Sequence, residues 1–198
     1  MNYPQFYDKV EKFVLFDELS SFLGATVDGK VEISYLDCVK LAGHSCPTVA
    51  GSYIIAKEAK RELEITKRSA VKISFKEPRD SGVTGVIGSV IGYIFGCSDD
   101  GGFSGIGGKF NRKNLLSFGN STQDAMVEFE CINSNKKVGF NLDTSVVPTD
   151  SQMPQLMQKS LGGLASSQEL KSFQELWQGR VENMLLNKEL WDKIAKKI

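Results

Sequence analysis

One stretch limits the possible architecture more than any other. Between Gly82 and Gly96, the apolar residues Val83, Val86, Ile87, Val90, Ile91, Ile94 and Phe95 recur at three-and-four spacing. That is the period of a helix with a wide apolar face. Gly82, Gly85, Gly88, Gly92 and Gly96 form an adjacent stripe at the same spacing. A glycine inside a helix costs about 1 kcal/mol relative to alanine, so a helix that keeps this stripe must let something approach its backbone closely. Tight packing against a sheet or another helix meets that demand, and a bound ligand is the alternative. The stretch is shorter than the roughly 18 residues that span a bilayer, so it reads as a buried helix.

Strand and helix signals alternate around it. Lys30 to Ser34 reads as a short strand after the turn-like Asp28-Gly29, and Ser69 to Lys76 alternates Val71, Ile73 and Phe75 with polar neighbours. Met126 to Ile132 and Lys137 to Leu142 read as two strands joined at Asn133-Ser134-Asn135 in the manner of a hairpin. Tyr7 to Phe22 puts Val10, Phe13, Val14 and Phe22 at near-helical spacing. Val49, Ala50, Tyr53, Ile54 and Lys57 predict a helix from Pro47 to Leu63, with Pro47 in the first turn where its missing N–H costs nothing. Cys46 then falls at or beside the N-cap.

Past Pro148 the signals are helical. Ser166 and Glu169 form a capping box for a helix carrying Leu170, Phe173, Trp177, Val181, Met184 and Leu185. A last helix carries Leu190, Trp191, Ile194 and Ile198. The expected fold is α+β: a mixed β-sheet packed with helices over residues 1–148, and a C-terminal helical arm over 149–198 that packs on the core or on a second copy of the chain.

Charge and cysteine usage narrow the function. Of the 198 residues, Lys and Arg number 24 and Asp and Glu 24, a formal net charge of zero. Nonspecific nucleic-acid binding needs a positive field that such a chain lacks, so no nucleic-acid partner is expected. Asp8, Glu11 and Asp17 interrupt the apolar positions near the start, which denies this segment the apolar run of a signal peptide. A cytoplasmic protein without a membrane partner is the expectation. There, four cysteines argue for thiols or metal ligands over disulfides.

Cys38, His44 and Cys46 lie close together, and His44 is the only histidine. Thiolates with an imidazole suit Zn, Ni or another late transition metal, and Cys97, at the end of the glycine-striped helix, is the natural fourth ligand. The competing reading is a set of small buried side chains. A helix N-terminus at Cys46 would stabilise a thiolate, which favours metal binding and nucleophilic chemistry alike. Cys131 continues the alternation of Val127 and Phe129, so it reads as a core residue. Asp99 and Asp100 beside Cys97 are candidate oxygen ligands or a general base, and Arg79, Asp80 and Lys109 could meet an anionic ligand at the mouth of a glycine-lined cleft. Solvated charges and turn formers are the ordinary alternative. The loop after Cys97 matches neither a Walker pattern nor a dinucleotide fingerprint.

Gly43-His44-Ser45-Cys46-Pro47, with Gly51 and Tyr53, resembles the Gly-His-x-Cys-Pro signature of the FmdE family, which takes its name from formylmethanofuran dehydrogenase. Ser81 to Ile87, then Phe95-Gly96-Cys97-Ser98, Asn114-Leu115-Leu116 and Phe118-Gly119 follow that family's second block in order and spacing. Glu175 to Val181 is similar to the closing helix of bacterial relatives, so the resemblance covers roughly residues 5–190. It implies an α+β core like that of the glyceraldehyde-3-phosphate dehydrogenase (GAPDH) domain, a zinc or similar metal held by the Cys and His of these motifs, and frequent homodimers. It also implies small-molecule binding or service to a molybdenum or tungsten oxidoreductase. A metal- or thiol-dependent enzyme using Cys46 or Cys97 with His44, and a noncatalytic dimeric scaffold, are the alternatives.

The departures are specific. Ala42 stands where many members have a second His, and Thr48 where they have Gly. Ser81 and Thr84 stand where members commonly have Cys and Asp, and are taken with Asp99 and Lys109 as candidate ligand-binding residues. Cys38 is the candidate replacement for the missing His.

Overall fold

In a computed structural model, which describes residues 3–121 and 124–198, a 3-10 turn (Gln5–Lys9) leads into β1 (Phe13–Phe16), α1 (Glu18–Phe22), β2 (Lys30–Ile33), α2 (Tyr35–Ala42) and α3 (Pro47–Glu62). β3 (Val71–Phe75), α4 (Thr84–Phe95), β4 (Leu116–Ser117), β5 (Val127–Cys131) and β6 (Lys137–Leu142) follow. The chain closes with α5 (Met153–Leu161), α6 (Ser167–Leu186), α7 (Trp191–Ile194) and β7 (Ala195–Lys197). β1 and β2 form an antiparallel ribbon. The remaining strands make one sheet in the order β4-β3-β5-β6-β7, parallel between β3 and β4 and antiparallel elsewhere. This is the expected α+β fold with a mixed sheet.

Period-2 alternation turns Val71, Ile73 and Phe75, Val127 and Phe129, and Val138 and Phe140 to one face of the sheet, where all are buried. α3 and α4 cover that face. Fully burying a Phe, Ile or Val side chain contributes about 1.5–3 kcal/mol, so this layer supplies most of the drive to fold. The ends of the helices are set locally. Ser34 and Asp37 form a capping box at the start of α2, and Gly43, left-handed at φ 75°, ends it. Pro47 opens α3 behind Cys46, and Gly96, at φ 66°, ends α4.

Three glycines of the α4 stripe are packed against by the protein itself. A Cβ at Gly85 would lie 2.8 Å from the Arg79 carbonyl oxygen, one at Gly92 2.7 Å from that of Cys97, and one at Gly88 2.7 Å from the Phe118 ring. Close packing by the flanking chain is what Gly85, Gly88 and Gly92 admit, and Gly88, Gly92 and Gly96 also line a cavity at the C-terminal end of the helix.

Two segments depart from the expected elements. Residues 7–22 do not form one helix. Phe13 and Leu15 are buried while Val14 is exposed, a strand period, and the Asp17 carboxylate accepts the Ser20 N–H to start a separate short helix. At the other end the last helix stops at Ile194, and Ala195 to Lys197 pair with Phe140 to Leu142, so Ile198 is not helical. The C-terminal arm is thereby stitched to the core's own sheet. Its long helix α6 buries Val181, Met184 and Leu185 and packs on α3, while Leu161 and Leu164 at the α5–α6 junction stay exposed. Among the described residues no helix is long and apolar enough to cross a membrane.

Candidate functional site

The turn between α2 and α3 carries His44, Ser45 and Cys46. His44 is exposed, its Nδ1 2.9 Å from the Ala42 carbonyl oxygen. Ser45 is buried, its hydroxyl sharing a 2.9 Å hydrogen bond with that of Tyr35. The Ser45 carbonyl accepts Nε1–H of Trp177 at 2.9 Å and Nε2–H of Gln178 at 3.4 Å, and the Tyr7 hydroxyl donates to Oε1 of Gln178 at 3.3 Å. α6 therefore clamps this turn from above. Burial pushes the Tyr35 hydroxyl well above its ordinary pKa, so the cluster is neutral. Cys46 is buried at the N-cap and makes no capping hydrogen bond.

The other thiols are placed differently. Cys38 lies on α2 with no exposure, and burial pushes its thiol up to about 12. Cys97 is 4% exposed, and its thiol donates to the Val71 carbonyl oxygen at 3.3 Å. Burial pushes this thiol also up to about 12, against the opposing pull of the Arg68 and Arg112 charges. A thiol that attacks a substrate must first lose its proton, and burial opposes that loss at both of these. Cys131 is only half-buried at the end of β5, where the Ser134 hydroxyl and N–H hold its thiol below the ordinary range. Among the described residues no group of three or more His, Cys, Asp or Glu side chains comes together that could hold a metal ion. Cys38, His44, Cys46 and Cys97 are not gathered into one such group.

A charged cleft lies instead at the C-terminal end of α4. It is a cavity of about 350 Å³ lined by Arg68, Arg79, Arg112, Tyr93, Ser89 and Asp99, among others. A neighbouring cavity of about 450 Å³ between α2 and α4 shares Arg79 and Ser89 with it. Gly96 lets the arginines crowd the helix end, for a Cβ there would lie 3.0 Å from Nη1 of Arg112 and 3.2 Å from Cζ of Arg68. Arg68 donates Nε–H to the Ile94 carbonyl, Nη2–H to the Tyr93 carbonyl and Nη1–H to Asp17. A guanidinium on the last carbonyls of a helix is favoured by the helix dipole. Arg112 reaches both oxygens of Asp17, at 2.8 and 2.7 Å.

Asp17 is buried behind these two arginines. Burial alone would raise its pKa, but the Ser20 N–H and the charges of Arg112 and Arg68 outweigh that and hold the carboxyl below its ordinary range. On the far wall Arg79 donates to Asp99 at 2.6 Å.

Of the expected ligand-binding residues, Asp99 lines this cleft. Ser81 and Thr84 form the turn entering α4, the Thr84 N–H donating to the Ser81 carbonyl at 3.0 Å, and line neither cavity. Lys109 sits in an exposed loop, its backbone paired with Ile106. Asp17, Arg68 and Arg112 escaped the sequence reading because their pairing spans 51 and 95 positions, which no local pattern reveals. The local hint was Asp17 as an N-cap, a residue type that starts helices and breaks a continuous one.

A family model described as "FmdE, Molybdenum formylmethanofuran dehydrogenase operon" matches residues 41–191, which takes in the α3 turn, the whole of α4 and most of the C-terminal arm. No curated protein matches the chain.

Proposed function

Because the chain belongs to the FmdE family, that of the molybdenum formylmethanofuran dehydrogenase operon, we propose that it is a small-molecule-binding accessory to a molybdenum or tungsten oxidoreductase system. Its binding site is the cleft at the end of α4. The observation that carries this reading is the preorganised wall of the cleft: Asp17 and the last carbonyls of α4 fix two guanidiniums before any ligand arrives. Groups held in place beforehand lose little entropy on binding. The cavity is also of the size that takes a small organic molecule.

Native mass spectrometry on untagged protein tests the reading. The expected result is a noncovalently bound mass released on denaturation and lost in Ser89→Phe, which fills the cleft from an exposed position. A mass retained in that variant, or none in the wild type after exposure to cell extract, overturns it.

One observation favours a second reading. His44 and Cys46 share a single turn, Cys46 at the head of a long helix, so together they could hold a zinc or nickel whose remaining ligands come from elsewhere. Elemental analysis decides: about one metal per chain, lost in Cys46→Ser and kept in Cys97→Ser, would establish it.

A further inference from the structure

The cleft's unused donors point to a ligand class. Arg68 has each of its three nitrogens engaged, on Asp17, Tyr93 and Ile94. Arg112 spends only Nη2 on Asp17, so its Nε and Nη1 make no hydrogen bond among the described residues. Arg79 spends Nη1 on Asp99, and its Nε and Nη2 make no hydrogen bond among the described residues. Arg68 and Arg112 also line a second, smaller cavity of about 120 Å³, and Asp17 lines that one and not the larger. The wall thus shows guanidinium to the cleft and keeps its carboxylate behind. Across the whole cluster, Arg68, Arg79 and Arg112 face only Asp17 and Asp99, which leaves one positive charge in a chain whose net charge is zero.

Resting on that reading of the cleft, we infer that its ligand carries a small oxyanion, a carboxylate or phosphate group, which docks between Arg112 and Arg79. A guanidinium fork matches two oxygens of either group. An anion there also relieves the repulsion between Arg68 and Arg112, whose shared carboxylate offsets only one of their two charges. Ser98 lines the same cavity, and its hydroxyl makes no hydrogen bond among the described residues, a further donor for such a group.

Calorimetric titration of the full chain with inorganic phosphate and, separately, with acetate tests this. Saturable binding of at least one anion is expected, weakened by about tenfold or more in both Arg79→Met and Arg112→Met and weakened by added salt. The tighter of the two anions assigns the group as phosphate or carboxylate. Arg112→Met keeps the pair between Asp17 and Arg68. Should it still fail to fold, Arg79→Met, on a side chain 63% exposed, carries the test. Binding of neither anion, or undiminished binding in Arg79→Met, overturns the inference. A native mass lost in Ser89→Phe while neither anion binds would sink the oxyanion and leave the cleft standing, whereas a mass retained in Ser89→Phe removes the cleft itself.

Discussion

Two helix ends of this molecule gather its candidate site residues, and they are built on opposite plans. At the head of α3, His44, Ser45 and Cys46 form a turn roofed by Trp177 and Gln178 and backed by the hydroxyls of Tyr7 and Tyr35. At the tail of α4, three arginines and two aspartates crowd a glycine and open onto a cavity. The first arrangement spends its polar groups on the protein's own backbone and side chains and leaves few for a ligand. The second holds donors in reserve. A motif conspicuous in sequence can therefore be a piece of architecture, while the better candidate site is assembled from scattered residues.

The contrast breaks most sharply at Asp17. Removing it in Asp17→Ala leaves two half-buried guanidiniums without a counter-charge and costs about 1–3 kcal/mol, read as a lower urea midpoint. The same carboxylate makes the stability pH-dependent. Its folded-state pKa is depressed, so the stabilisation is fully present above its ordinary value and is lost as the pH falls below about 4. Asp17→Asn should flatten that acid limb, and an unchanged acid profile in the variant would remove Asp17 from the account of the cleft.

Next in size is the stripe beneath the cleft. In Gly92→Ala the new methyl meets the Cys97 carbonyl, which is backbone and cannot swing aside, and overpacking of that kind costs about 1–3 kcal/mol. Gly88→Ala meets the Phe118 ring, a side chain that can give, and should cost less. Equal losses, or none, in thermal unfolding would mean that the stripe does not carry the close packing assigned to it.

At the α3 turn, Trp177→Phe removes the indole N–H from the Ser45 carbonyl while keeping an aromatic ring. The expected cost is about 1 kcal/mol, the typical worth of one hydrogen bond, together with faster alkylation of Cys46 as the roof loosens. A variant as stable as the wild type would mean that α6 rests on the turn without holding it.

The sequence was most legible where a residue's role depends on near neighbours. Pro47 behind Cys46, the Ser166-Glu169 box and the alternation of Val71, Ile73 and Phe75 each predicted an element that is present, because caps, first turns and strand faces are set within a few positions. The segment around Phe13 misled, since four residues are too few to separate a period of two from one of 3.6. Ile198 misled because an edge strand is decided by its partner, here Phe140 to Leu142, and not by its own sequence. The arginine cleft was illegible for the same reason: Asp17 after β1, Arg68 before β3 and Arg112 in the long loop after Cys97 meet only when these segments pack at the end of α4.

The smallest expected effect concerns the thiols, and it compares the two helix ends directly because it costs no stability. Cys131 is half-buried with its thiol held below the ordinary range by Ser134, whereas burial holds Cys38 and Cys97 up at about 12. Alkylation proceeds through the thiolate and needs access. Mapping iodoacetamide adducts against time in native protein should therefore find Cys131 first and Cys46 later, with Cys38 and Cys97 modified only as the protein unfolds. Ser134→Ala should slow Cys131 alone. Rapid modification of Cys97 in the folded state would mean that the tail of α4 opens to solvent, and with it the cavity whose wall Arg68 and Arg112 form. The preorganised cleft would then be one state among several.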